Sequence, residues 1–120
     1  MNARAEAHNT ISNSPTHDYT FRTMSNWLVE KRLSVAAERL KRLRNELQVV
    51  DEQLASLADS ADDLRIRSLV SETPLADREH QEAQKHADAM ARHRTEVLQS
   101  IADLEKSRDD LLDQLLAEQR

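Results

Sequence analysis

The chain has 120 residues, enough for one small domain; 38% are hydrophobic, 32% are charged, and none is glycine or cysteine. The missing glycine excludes a Gly-rich phosphate loop and Asn-Gly or Asp-Gly hairpin turns, and the missing cysteine excludes disulfides, thiolate metal sites and thiol nucleophiles. A net charge of −5 gives no general attraction to nucleic acid, and apolar positions that are mostly Leu and Ala among Glu, Asp, Arg and Gln belong to long helices and coiled coils.

Residues 1–23 are polar and aperiodic, rich in Asn, Ser and Thr and carrying Pro15. They are expected to form a disordered N-terminal tail, and they lack the apolar core of a secretory signal. Met24 opens "MSNWLVEKRL", a second candidate start. The longest apolar runs are three residues, such as Trp27-Leu28-Val29, too short to span a membrane. The absence of cysteine suits a reducing compartment, so a cytoplasmic location is expected, and the preference for Arg over Lys suggests a bacterial source.

From Ser25 the pattern becomes periodic. Leu33, Leu40, Leu47 and Leu54 recur every seven residues, a frame that continues to position 61, and Ala36, Leu43, Val50, Leu57 and Leu64 follow three residues after its successive members. This is an a/d heptad sustained over more than four repeats, which predicts a first helix over about 25–70. Ser25 or Asn26 is its expected N-cap. A weak capping-box pattern, Ser60 with Asp63, allows a break near Asp59 and a short extra helix at the tip.

Residues 71–73 read as a turn. Thr73 is a good N-cap, and Pro74 sits at the first helical position, where its missing N–H costs nothing. A second helix is expected over about 74–118, with Ala76, His80, Ala83, Ala87, Met90, Arg94, Val97, Ile101, Leu104, Arg108, Leu111 and Leu115 on one stripe. The heptad frame of the first helix does not continue into this stripe, and proline disfavours a helical conformation at Thr73. Phase and proline together predict a corner.

The fold class expected is therefore all-α: residues 24–120 form an antiparallel two-helix coiled-coil hairpin. Folding at residues 71 and 72 sets Leu33 near Leu111, Leu40 near Leu104, Leu43 near Ile101, Leu47 near Val97 and Leu54 near Met90, and it sets Ala36 opposite Arg108. The two seams acquire this complementarity only when folded, since neither seam by itself requires it.

Candidate sites are few. His80, His86 and His93 share the second helix, but His86 and His93 lie roughly 10 Å apart along the axis, too far to hold one ion. No metal, cofactor or small-molecule substrate is expected. There is no nucleophile turn and no phosphate loop, and a two-helix seam filled by its own side chains leaves no concave site, so an enzyme is not expected. Lys31, Arg32, Arg39, Lys41, Arg42 and Arg44 form a basic stretch, but Asp103, Glu105, Asp109, Asp110 and Asp113 stand at the same height on the second helix. Nucleic acid is accordingly not the expected partner.

The expected contact surface is the open end. Trp27, Leu28, Val35, Leu98, Leu112 and Leu116 flank a seam that already has its own apolar residues, and they call for another helix. The leading expectation is a non-enzymatic coiled-coil interaction or adaptor protein, pairing as a homodimer or with another helical protein. The alternative is a regulator that inserts its tip, with Asp59, Asp62, Asp63 and Glu72, into a larger machine such as RNA polymerase. Acidic-tipped hairpins that enter the polymerase secondary channel share that architecture, and the analogy is one of architecture alone. A nucleic-acid-binding helical protein is a second alternative, resting on the basic stretch.

Residues 1–23 cannot bury enough apolar area to offset the entropy of ordering them. A chain beginning at Met24 is expected to keep its melting temperature and the helicity of the hairpin. A large loss of either on thermal melting followed by circular dichroism would show that the tail packs on the hairpin.

Overall fold

In the computed structural model the chain is all-α. Two long helices, α1 (Asn2–Ser71) and α2 (Pro74–Glu118), pack against each other as an antiparallel coiled-coil hairpin. The structure describes the backbone of residues 2–118 and the side chains of residues 24–117.

The two seams account for the burial. Between Asn26 and Ser68 every heptad a and d position of α1 is buried or half-buried, and Ser25 is the one other residue of that stretch's vicinity that is not exposed. On α2 all twelve stripe residues from Ala76 to Leu115 are buried or half-buried, joined only by His93 and Glu105 at the seam's edge. Such a pattern is what a narrow coiled-coil contact produces: residues spaced three and four apart stay on one side of each helix.

Packing divides the chain into two compact units. One comprises Arg39–Glu105 and the other Met1–Glu38 with Lys106–Arg120. In the first unit Leu40, Val97 and Ile101 form the buried core, and Leu43, Leu47 and Leu104 pack around them. These six are three of the pairs expected from folding at residues 71 and 72. Leu40 is only 2% exposed, and a fully buried leucine contributes about 1.5–3 kcal/mol. In the second unit Val29 and Ala36 are buried, with Leu33, Leu111 and Leu115 half-buried.

Towards the turn the seam narrows chemically. Ala61, Ser68, Ala76 and Ala87 are the buried residues there, and Ala83 is half-buried. The connector is only Glu72 and Thr73, so the helix ends must lie close together. Small side chains at these positions permit that approach, with Leu64 the one large seam residue between Ala61 and Ser68.

The corner is built by local hydrogen bonding. The Glu72 amide donates to the Ser68 carbonyl at 3.0 Å, closing α1. Glu72 itself has φ 53°, the left-handed conformation that ends many helices and that glycine normally occupies. Thr73 then caps α2: its Oγ1 accepts from the Ala76 amide at 3.2 Å, and its carbonyl accepts from the Asp77 amide at 3.1 Å. Ser68, the one buried polar residue described, donates its hydroxyl to the Asp77 carboxylate across the turn. Asp77 also lies near the positive end of the α2 dipole.

Two boundaries differ from expectation. α1 begins at Asn2 rather than near residue 25, so Ser25 and Asn26 lie within the helix and not at its cap. The expected disordered tail, 1–23, falls outside the residues with described side chains. Helix α1 also runs unbroken past Asp59 to Ser71, with no extra helix at the tip. The seam explains this: Leu57, Ala61, Leu64 and Ser68 keep the heptad spacing through the weak capping box, so packing outweighs the local stop signal.

Cysteines placed at Leu40 and Leu104 are expected to crosslink within one chain, read as a monomeric band of increased mobility after oxidation. Crosslinks found only between chains would replace the hairpin with a long-helix dimer. Glu72→Gly is expected to stabilise the hairpin by about 1 kcal/mol, because the left-handed conformation costs a Cβ-bearing residue roughly that much. Glu72→Val should lower the melting temperature, since a branched Cβ fits that conformation worse.

Candidate interaction surface

The hairpin geometry fixes which residues share a side. With α1 and α2 antiparallel, the e positions of both helices line one flank of the seam and the g positions line the other. In the unit Arg39–Glu105 the cross-helix polar pairs follow this rule. Arg44 and Glu105, both e positions, are 3.7 Å apart, and Glu46 and His93, both g positions, are 3.2 Å apart. Arg94, an a position of α2, turns its guanidinium out of the seam to Asp51 on the e flank. These pairs are 40–55% exposed, so each adds at most a fraction of a kcal/mol and serves mainly to keep the register.

The same frame sorts the apolar residues of the other unit. Trp27 is a b position on α1; Leu112 and Leu116 are e and b positions on α2. All three lie on the e–b flank, and all three are exposed, Trp27 to 59%. Leu28 and Val35 are c positions and fall on the opposite flank, also exposed. Leu98, an e position, belongs to the unit around the Leu40 core. The six expected contact residues are thus all exposed, but they do not make one surface. Trp27, Leu112 and Leu116 share one flank; Leu28 and Val35 lie on the reverse side.

Arg108 lies on the seam stripe of that unit and is half-buried. Its guanidinium turns to the Asp109 carboxylate, with hydrogen bonds of 3.1 and 3.2 Å. Ala36, at the same distance from the turn on α1, is buried and small enough to leave room for an arginine stem.

At the tip the four expected acidic residues are placed separately. Asp62 is held by Arg65 at 3.0 Å on its own helix. Asp59 and Asp63 are exposed, and Glu72 forms the left-handed corner. Ile66, Leu69 and Val70, which the sequence places off the seam, give this end an aliphatic character. Ile66, Leu69 and Val70 are exposed on the outer side of the last turns of α1, Val70 to 80%, and Leu75 is exposed in the first turn of α2. The signal was available: spacings of three and four put Ile66, Leu69 and Val70 on one helical face, away from the a and d positions.

Two seam groups carry unpartnered buried atoms, Asn26 Oδ1 and His80 Nδ1. Each weakens its layer, since an unmade hydrogen bond in a buried place costs on the order of 1–3 kcal/mol. A lone polar residue at an a position also disfavours slipped registers. Among the described residues no group of three or more His, Asp or Glu converges on a point where a metal ion would sit. No described helix is long and apolar enough to cross a membrane.

Compared with known proteins, the chain matches no family model, no curated protein and no solved structure.

Proposed function

We propose that this chain is a non-enzymatic coiled-coil interaction protein, an adaptor that works by packing the open end of its hairpin against another helical surface. The observation that carries this reading is the exposed set Trp27, Leu112 and Leu116 on one flank. A large aromatic beside two leucines is a costly surface to leave in water and a typical anchor of helix-to-helix docking. The seam beneath is already filled by the chain's own side chains, so the flank offers contact area rather than a concave site for a small molecule. A cytoplasmic setting accords with the lack of cysteine.

A second reading has an observation of its own. The exposed Ile66, Leu69, Val70 and Leu75 give the tip an apolar surface beside Asp59 and Asp63, which suits a regulator inserting its tip into a larger machine such as RNA polymerase. Nucleic-acid binding has less support. Arg44 of the basic stretch is paired with Glu105, and no aromatic residue accompanies the stretch from Lys31 to Arg44.

The readings separate by where a charge disrupts binding. Affinity capture of the native chain from cells, with partners quantified by mass spectrometry, is expected to lose its specific partner by about tenfold or more with Leu112→Asp, because the carboxylate would have to be buried. Leu69→Asp should leave capture intact. The reverse pattern would move the function to the tip, and loss only with Arg39→Glu and Arg42→Glu would move it to nucleic acid.

A further inference from the structure

We infer that the open-end flank is completed by a second copy of this chain, lying parallel to the first about a two-fold axis that runs along the hairpin. This rests on the open-end interaction surface proposed above and names its occupant. The argument is the charge arrangement around the apolar residues. On α1, Trp27 is followed one turn later by Lys31; on α2, Leu112 and Leu116 are bordered by Asp113. All five residues belong to the unit formed by Met1–Glu38 and Lys106–Arg120, and all five are exposed. Neither Lys31 nor Asp113 takes part in an ion pair among the described residues, whereas Lys106 and Arg108 are engaged by Asp110 and Asp109.

The levels of these residues decide the orientation. Lys31 and Asp113 are equidistant from Glu72 along their arms, so they stand at the same height, at outward f positions of their helices. Within one chain they point away from each other. A two-fold axis along the hairpin lays α1 of one copy over α2 of the other without changing height. It therefore sets each Lys31 beside the second copy's Asp113, twice over, and sets Trp27 against Leu112 and Leu116. An antiparallel copy would instead lay α1 over α1 and bring Lys31 towards Lys31. Symmetric closure also covers both apolar sets at once and leaves no matching surface for further addition. The product is a local four-helix bundle, the usual way in which helical hairpins bury a second apolar flank.

The test is sedimentation equilibrium of the full chain from low to high micromolar concentration, with circular dichroism confirming the fold of each variant. The native chain is expected to dimerise, and Leu112→Asp to be monomeric while still helical. Lys31→Glu and Asp113→Lys should each raise the dimer dissociation constant by roughly tenfold, since two symmetry-related attractions become repulsions. The double variant carrying both changes should recover native affinity. Cysteine chains support the geometry independently: Lys31→Cys mixed with Asp113→Cys should give the mixed disulfide in preference to either symmetric one. A native chain that stays monomeric throughout overturns the second-copy inference and leaves the open-end surface to a different protein. A dimer lost with Leu112→Asp but indifferent to the charge changes overturns the parallel arrangement alone. A dimer that ignores Leu112→Asp overturns this inference and shows that the chain self-associates elsewhere.

Discussion

The two-residue connection at Glu72 and Thr73 is the constraint on which the rest of the hairpin depends. Because the link is so short, residues equidistant from it along the two arms face one another, and the pairing of the whole seam follows. Each part of the corner has a local cause. Glu72 supplies the left-handed turn, Thr73 caps α2, Pro74 starts it, and the Ser68–Asp77 hydrogen bond ties the two helix ends together. A longer, looser connection would leave the register to the polar seam residues and flanking ion pairs alone, since leucine recurs every seven residues along α1.

Side-chain size is graded to suit that constraint. Near the turn the buried residues are Ala61, Ser68, Ala76 and Ala87, which allow close approach of the helices. Further along, the buried residues include the larger Val29, Leu40, Val50, Val97 and Ile101. Larger side chains are therefore buried away from the corner, while geometry is set at it. The polar seam members, Asn26 and His80, contribute nothing to burial energy but penalise displaced pairings in which they would meet large aliphatic side chains.

A two-helix seam also determines what is left for function. It buries one stripe of each helix and leaves the rest exposed, so a large apolar residue at a b, c, e or f position has no place to hide within the hairpin. Trp27, Leu112 and Leu116 on one flank, and Ile66, Leu69 and Val70 at the tip, are in that position. Their exposure is the reason that the proposed function is contact with other protein surfaces, and the lysine and aspartate at the edges of the open-end flank are the reason that a second copy is the occupant inferred.

Much of this was legible in the sequence because heptad spacing is a one-dimensional signal. Leu33, Leu40, Leu47 and Leu54 with their partners three residues on identify the seam without reference to anything else, and Thr73-Pro74 marks the start of α2 to the residue. The exposed residues were legible too, as large apolar side chains left off the seam. Their grouping was not. Whether Leu28 or Trp27 shares a side with Leu112 depends on which flanks the two helices present to each other once they run antiparallel, and that is a property of the packed pair, not of either helix. The unbroken course of α1 past Asp59 was likewise decided by packing: Ser60 and Asp63 carry a local stop signal of modest strength, and the continuing seam through Ala61, Leu64 and Ser68 overrides it. The sequence by itself determined the helices, their seams and the corner, because periodicity and turn chemistry act locally; only the tertiary structure decided which exposed residues lie together, because that follows from the relative orientation of two elements.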